Sequence, residues 1–138
     1  MMNKFLKKWQ GKAIRDDGAY NSRHFNSFAK ELKTLLTSES SKNGITLKKF
    51  TVGHYCVSGF LAVGENAHVY FSYNVPRGEM PMNLAAKDAR NGFLLRTAMN
   101  DKDYTGGNNH FTDLAGFFTL AIKLLAKELN AKQHDSAA

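Results

Sequence analysis

The sequence predicts an α+β fold, in which an antiparallel sheet of three to four strands is flanked by an N-terminal helix and a long C-terminal helix. Two segments, one before residue 40 and one after residue 112, carry apolar residues at the three- and four-residue spacing of an amphipathic helix. Between them lie segments rich in β-branched and aromatic residues, separated by turn residues. The chain has 138 residues, of which 43% are hydrophobic, so we expect one domain over residues 1–138.

Two helical segments are expected in the first part of the chain. Residues 2–10 place Phe5, Leu6 and Trp9 on one side of a short amphipathic stretch, which opens a basic N-terminal segment at residues 1–18. The α+β core, residues 20–132, begins with a helix that Ser22 can cap and that runs through Thr37, before a polar segment closes it. The apolar face of this helix comprises Phe25, Phe28, Leu32, Leu35 and Leu36.

Three strands are expected next, at residues 45–52, 55–63 and 67–73. The first and third segments alternate between two faces, apart from Lys49, which breaks the pattern of the first, and the second is rich in residues that favour strands. Residues 74–91 lack periodicity and contain Pro76, Gly78 and Pro81, which predicts a long connection. Residues 93–98 are a candidate fourth strand, and we expect the sheet to be antiparallel.

The C-terminal helix is expected after the turn at residues 104–109. Thr112 or Asp113 can cap it, and the tail from residue 133 to residue 138 is expected to fray. The broad apolar face of this helix comprises Leu114, Phe117, Phe118, Ala121, Ile122, Leu125 and Leu129. We expect both long helices to pack on one face of the sheet.

Composition excludes several classes of protein. The longest apolar stretches are too short or too interrupted to span a bilayer, so we expect no membrane association. The single cysteine, Cys56, cannot form an internal disulfide and excludes a multi-cysteine zinc site, which favours a cytoplasmic location.

Positive charge is concentrated near the N-terminus. Residues 1–52 hold eleven basic and four acidic side chains, whereas the remaining residues hold eight of each. The whole formal net charge of +7 therefore lies in the first part of the chain, which indicates a basic face and an anionic partner, either nucleic acid or an acidic protein surface. Its candidate contacts are Lys4, Lys7, Lys8, Lys12, Arg15, Lys48 and Lys49.

The segment at residues 96–110 is the second candidate binding region. It combines carboxylates, amides, a glycine pair and a histidine, a chemical variety that suits a recognition loop. It lacks the spacing of a phosphate-binding loop, and a structural turn with side-chain caps explains it equally well. The candidate partner contacts are Arg96, Asp103, Tyr104, Asn108, Asn109 and His110.

Strand aromatics suggest a third possibility, a platform on which bases stack. Tyr55, Tyr70, Phe71 and Tyr73 lie on neighbouring predicted strands. Because helices cover one face of the sheet, half of these rings belong to the core, and only Tyr70 or Tyr55 is expected to remain open.

Catalytic chemistry has only weak signals. Asp101, Asp103 and His110 offer oxygen and nitrogen ligands for Mg²⁺ or Mn²⁺, but their spacing fits no dedicated motif. His54 and Cys56 stand two positions apart, which is compatible with a thiol–imidazole pair, although a strand cysteine is usually a small core residue. We therefore expect no catalytic residue, no metal site and no cofactor.

Four motifs carry a resemblance. The segments GHYCVSGF at 53–60, VYFS at 69–72, LLRTA at 94–98 and KDYTGGNN at 102–109 resemble small proteins encoded by phages and other mobile elements of Gram-positive bacteria. The resemblance covers residues 53–117 and implies a genomic setting rather than an activity. It implies that Arg96 and residues 101–110 contact a partner or organise the fold.

These observations lead to one functional expectation and two alternatives. We expect a non-enzymatic accessory protein that binds nucleic acid or a nucleic-acid-handling protein, in the manner of an inhibitor of a host defence nuclease such as an anti-CRISPR protein. The first alternative is a small metal-dependent nuclease or phosphotransfer enzyme that uses Asp101, Asp103 and His110. The second is an accessory that self-associates through its aromatic helices. The sequence leaves the oligomeric state open.

Overall fold

The fold is described from a computed structural model that covers residues 1–15 and 23–137, with side chains described up to residue 131. In chain order the helices and strands are α1 (Met2–Trp9), α2 (Arg23–Lys42), β1 (Thr46–Val52), β2 (Cys56–Val63), β3 (Ala67–Asn74), β4 (Phe93–Ala98), β5 (His110–Thr112) and α3 (Phe117–Ala137). The strands form one sheet in the order β1-β2-β3-β4-β5, and every neighbouring pair is antiparallel.

The α+β class, the antiparallel sheet and the flanking helices are confirmed, but the predicted three to four strands are too few. The fifth strand, β5, has only three residues and pairs with β4 from Phe93 to Leu95. Three residues are too short to show a periodic pattern, and their extended conformation depends on the pairing with β4.

The three helices pack on one side of the sheet, which we call the helix face. Helix α2 contacts β1, while α3 contacts β3 and β4. Phe28 of α2 lies at the centre of this core, with its ring centroid 5.5 Å from Trp9 and 5.9 Å from Tyr73. On the other side of the core, the Phe117 ring of α3 lies 5.4 Å from Phe71. Within residues 1–15 and 23–137, no helix lies on the opposite side of the sheet, which we call the open face.

Helix α2 is longer than the sequence predicts. It continues past Thr37 to Lys42, and Gly44 follows it with a φ of 68°. The Thr37 hydroxyl donates a hydrogen bond to the carbonyl of Lys33 at 2.7 Å, and Ser40 is buried. The polar composition of residues 38–42 therefore does not end the helix, and the Thr37 hydroxyl finds its partner within it. The predicted cap, Ser22, lies outside the described residues.

Helix α3 begins later than predicted, after a turn that Asp113, one of the two expected caps, closes. Thr112 belongs to β5, and the Asp113 carboxylate accepts a hydrogen bond from the Gly116 amide at 2.7 Å in the turn before the helix. Ile122, expected in the core, is 42% exposed, and Leu124 is buried instead. The helical backbone reaches Ala137, within the predicted tail. The buried stripe follows the helical period from Phe117 and leaves Ile122 to one side.

The irregular connection between β3 and β4 is anchored by backbone hydrogen bonds. The Met82 amide donates to the Lys12 carbonyl at 2.8 Å, and the Gly11 amide donates to the Met82 carbonyl at 2.9 Å. The Gln10 side chain accepts a hydrogen bond from the Leu84 amide at 2.6 Å. The connection therefore pairs with the chain after α1.

Among the helices of the described residues, none has the length and apolar character needed to cross a membrane.

Candidate nucleic-acid interface

A row of side chains crosses the open face in strand register. Lys49 of β1 is the register partner of Phe60 of β2, Phe60 is the partner of Tyr70 of β3, and Tyr70 is the partner of Arg96 of β4. Register partners in antiparallel strands project from the same face, so these four side chains form one line across four strands. We call this line the aromatic row. Its centre is aromatic and both of its ends are cationic.

Ring contacts join the residues of the aromatic row. The centroids of Phe60 and Tyr70 are 5.4 Å apart, and the Arg96 guanidinium carbon lies 5.5 Å from the centre of the Tyr70 ring. Tyr104 adds a third ring, with its centroid 5.9 Å from that of Tyr70. These distances are typical of aromatic pairs and of cation–π contacts. Phe60 is only 7% exposed, whereas Tyr104 is 60% exposed, so the ring most accessible to a ligand is Tyr104.

Tyr104 reaches the open face because the hairpin between β4 and β5 turns back at residues 99–105, which we call the hairpin tip. Ala98 forms a β-bridge with Gly106, and the Gly107 amide donates to the Thr97 carbonyl at 3.1 Å. Within the tip, the Asn100 side chain accepts hydrogen bonds from the Lys102 and Asp103 amides. This side chain closes the turn immediately before Tyr104.

Asp103 holds the next turn of the hairpin tip. Its carboxylate accepts hydrogen bonds from the hydroxyl and the amide of Thr105, and these bonds lower the pKa of Asp103. The carboxylate is therefore engaged by its own loop. Asp103, predicted as a partner contact, thus closes the turn that contains Tyr104.

The N-terminal lysines lie on the other side of the sheet from the aromatic row. Lys8 forms an ion pair with Glu31 of α2 at 2.8 Å. Its Nζ and that of Lys12 each lie 5.2 Å from the centre of the Trp9 ring. Lys4 and Lys7 are exposed on α1, and α1 packs on α2 on the helix face. The basic residues predicted to form one face are therefore divided between the two sides of the sheet.

The remaining predicted contacts occupy three other places. Lys48 lies at the irregularity of β1, where the register shifts between Leu47 and Lys49. The Arg15 guanidinium carbon lies 4.8 Å from the centre of the Tyr55 ring. Asn108, Asn109 and His110 are exposed at the β5 edge, where His110 is the register partner of the core residue Leu95. Of the predicted partner contacts, only Lys49, Arg96 and Tyr104 lie at the aromatic row.

The predicted base-stacking platform is reduced to one of its four residues. Tyr55, Phe71 and Tyr73 are buried, and Tyr70 alone of the four lies on the open face. Burial raises the pKa of Tyr73 strongly. Phe60 was not predicted, although it occupies the centre of the aromatic row. The signal that identifies it is the alternation of β2, which places Phe60 opposite the core residue Leu61.

The weaker catalytic candidates are not assembled into sites. Within residues 1–15 and 23–137, no group of three histidine, cysteine or carboxylate side chains is arranged to hold a metal ion. The Cys56 thiol donates to the Val57 carbonyl at 3.7 Å, and burial raises its pKa, which disfavours the nucleophilic thiolate. The His54 ring contacts the edge of the Tyr55 ring, with centroids 4.9 Å apart.

Comparisons with known proteins leave this site to be interpreted from its own geometry. No protein-family model, no curated protein and no solved structure matches the chain.

Proposed function

We propose that this protein binds single-stranded nucleic acid on the open face of its sheet, without catalysis. The observation that carries the proposal is the aromatic row, in which Phe60 and Tyr70 lie in register between Lys49 and Arg96. Proteins that bind single strands combine aromatic rings, on which bases stack, with cations that contact the phosphates. The face opposite this row is covered by helices, so the open face is the side of the sheet available to a ligand.

The dimensions of the row support this proposal. Three gaps between neighbouring strands separate Lys49 from Arg96, and each gap is about 4.8 Å, so the row is about 14 Å long. A row of this length accommodates two or three nucleotides. The exposed Tyr104 ring offers a stacking surface, and Arg96, held against Tyr70, places a fixed positive charge at the end of the row.

We extend the proposal to the setting that the sequence resemblance implies. A protein of a mobile element that carries a net charge of +7 is poorly suited to imitate DNA, which is an anion. Such a protein would engage the nucleic acid component of a defence nucleoprotein, such as a guide RNA. Inhibition would then follow from occlusion of that nucleic acid. The metal-dependent nuclease stays a hypothesis from the sequence, and the engagement of Asp103 by Thr105 argues against it.

Fluorescence anisotropy with short labelled oligonucleotides tests the proposal. We expect the protein to bind single-stranded RNA or DNA in preference to the duplex, with an affinity that falls as salt rises. Tyr104→Ala removes an exposed ring and is expected to weaken binding by about 5- to 150-fold, since one stacked base contributes about 1–3 kcal/mol.

A pair of lysine variants separates the open face from general electrostatic attraction. Lys49→Gln and Lys7→Gln each remove one exposed positive charge, the first on the aromatic row and the second on α1. We expect the Lys49 variant to weaken binding more than the Lys7 variant. Equal losses in the two variants, together with an unchanged affinity of Tyr104→Ala, would rule out the open face as the binding surface.

A further inference from the structure

A second group of cations lines a cleft that the aromatic row does not use. The cleft has a volume of about 580 Å³ and lies where the β1–β2 hairpin meets the connection between β3 and β4. We call it the arginine cleft, and its polar lining consists of Arg15, His54, Asn74, Arg77, Arg90 and Asn91. Three arginines thus line one space, although Arg15 and Arg90 stand 75 positions apart in the chain.

Arg77 and Arg90 have no carboxylate partner within the described parts of the chain. Both residues are exposed, and no ion pair within 4.0 Å involves either side chain among residues 1–15 and 23–137. Like charges that share a cleft repel one another, and an anion bound between them relieves that repulsion. A planar guanidinium binds a phosphate through two parallel hydrogen bonds, which makes arginine the residue suited to such an anion.

The acidic side chain nearest in sequence to Arg90 is held by the backbone. The Asp88 carboxylate accepts hydrogen bonds from the amides of Arg90 at 2.9 Å and Asn91 at 2.8 Å, and these bonds lower its pKa. Asp88 therefore shapes the turn that carries Arg90 and Asn91. Its carboxylate accepts hydrogen bonds from the backbone and, in the part of the chain that the structure describes, does not form an ion pair with the Arg90 guanidinium.

His54 of the cleft lining is followed in the chain by a residue with a strained backbone conformation. Tyr55 has a φ of 55°, a backbone conformation that costs a residue with a side chain roughly 1–2 kcal/mol. The Val75 amide donates to the Tyr55 carbonyl at 2.9 Å, which ties the β1–β2 hairpin to the chain that carries Arg77. The Tyr55 ring packs against Phe25 and beneath the Arg15 guanidinium. This strained hairpin holds His54 and Arg15 at the cleft.

We propose that the arginine cleft is a binding site for a phosphate monoester. The guanidinium groups of Arg77 and Arg90 contact the phosphate, and Asn74 and Asn91 offer amide groups beside it. Val75, Pro76 and Met80 form an apolar part of the lining, which suits the organic portion of the ligand. Two sources supply this chemistry, a free mononucleotide and the terminal phosphate of a nucleic acid strand. The inference does not depend on the proposed role of the aromatic row.

The second source is compatible with the position of the cleft. Asn74 is the last residue of β3, and Tyr70 lies four residues before it in the same β-strand. The distance between Tyr70 and the cleft is therefore about 13 Å along β3. A nucleic acid whose bases stack at the aromatic row would have its terminal phosphate at the cleft after a few nucleotides.

Calorimetric titration with inorganic phosphate and with a nucleoside monophosphate tests the site directly. We expect the monophosphate to bind and sulfate to compete with it. The double variant Arg77→Gln/Arg90→Gln should weaken binding at least tenfold, whereas Lys127→Gln, an exposed charge on α3, should leave it unchanged. The variant Arg77→Lys/Arg90→Lys keeps the charge but loses the planar donors, so we expect a smaller loss that is still measurable. Thermal melting of each variant verifies that it is folded.

Oligonucleotides with and without a 5′ phosphate distinguish the two sources. A preference for the phosphorylated strand that the double arginine variant abolishes assigns the cleft to a strand end. Binding of the monophosphate without such a preference assigns it to a free ligand, and both results support the site. Monophosphate binding that persists in the double variant overturns the proposal, as does the absence of both monophosphate binding and 5′-phosphate preference. A failure of the proposal for the aromatic row can be distinguished from a failure of the proposal for the cleft. Tyr104→Ala is expected to weaken oligonucleotide binding but not monophosphate binding.

Discussion

Gly106 and Gly107, which follow the hairpin tip, differ in the atoms that an added methyl group would contact. A methyl group on Gly106 would collide with the carbonyl oxygen of Thr97, which belongs to the backbone of β4. A methyl group on Gly107 would collide with the hydroxyl oxygen of Thr97, which belongs to a side chain. Neither glycine requires a positive φ, so the requirement for glycine is the close approach to β4. A backbone oxygen within a sheet cannot move aside, whereas a hydroxyl can be removed by substitution.

The expected cost of Gly106→Ala follows from the contacts that the displaced tip would lose. The hydrogen bond from the Gly107 amide to the Thr97 carbonyl is 3.1 Å long, and such a bond contributes about 1 kcal/mol net. The contact between the rings of Tyr104 and Tyr70, whose centroids are 5.9 Å apart, contributes roughly another 0.5–1.5 kcal/mol to the free energy of unfolding. We therefore expect Gly106→Ala to lower the free energy of unfolding by about 2 kcal/mol. At this chain length, that loss lowers the melting midpoint by about 6 °C.

Urea denaturation of single and double variants separates the two collisions. Thr97→Ala removes the hydroxyl, so we expect it to restore most of the stability lost in Gly107→Ala and little of that lost in Gly106→Ala. The comparison is a double-mutant cycle that uses Thr97→Ala alone as its reference. Equal rescue of both glycine variants, or a Gly106→Ala variant as stable as the parent protein, would refute the reasoning.

Three further predictions concern single side chains. The buried Tyr73 hydroxyl has no hydrogen-bond partner in the described structure. Tyr73→Phe should therefore raise the free energy of unfolding, measured by urea denaturation, by about 1 kcal/mol. A loss of stability would show that the hydroxyl has a partner. Burial raises the pKa of the Cys56 thiol, so we expect iodoacetamide to modify it more slowly in the folded than in the urea-unfolded protein; equal rates would contradict this. The hydrogen bonds from Thr105 lower the pKa of Asp103 below its ordinary value of 3.8. The hairpin tip is therefore stabilised above that value and loses this stabilisation as the pH falls through the lower, folded-state pKa. Ring resonances of Tyr104 in NMR spectra should move in that acidic range and should not do so in Asp103→Asn.

The sequence alone determines the elements whose pattern repeats locally. The apolar spacing that includes Phe28 and Leu32 predicts α2, and the alternation around Val69 and Phe71 predicts β3, because each pattern is complete within one element. The α+β order of the fold follows from these elements. Lys49, Arg96 and Tyr104 were also identified from charge and loop composition, although the sequence did not indicate that they meet.

Tertiary structure decides the features that depend on pairing between distant segments. Strand β5 exists because residues 110–112 pair with β4, and three residues carry no period of their own. The aromatic row depends on the register of four strands, including the shift after Leu47 that brings Lys49 opposite Phe60. Arg77 and Arg90 share a cleft because an irregular connection folds back against the β1–β2 hairpin, and an irregular segment has no periodicity from which its course can be predicted. The periodicity of apolar residues within one helix or strand can be seen in the sequence alone. The register between strands and the path of a loop are determined only when separate segments pack together.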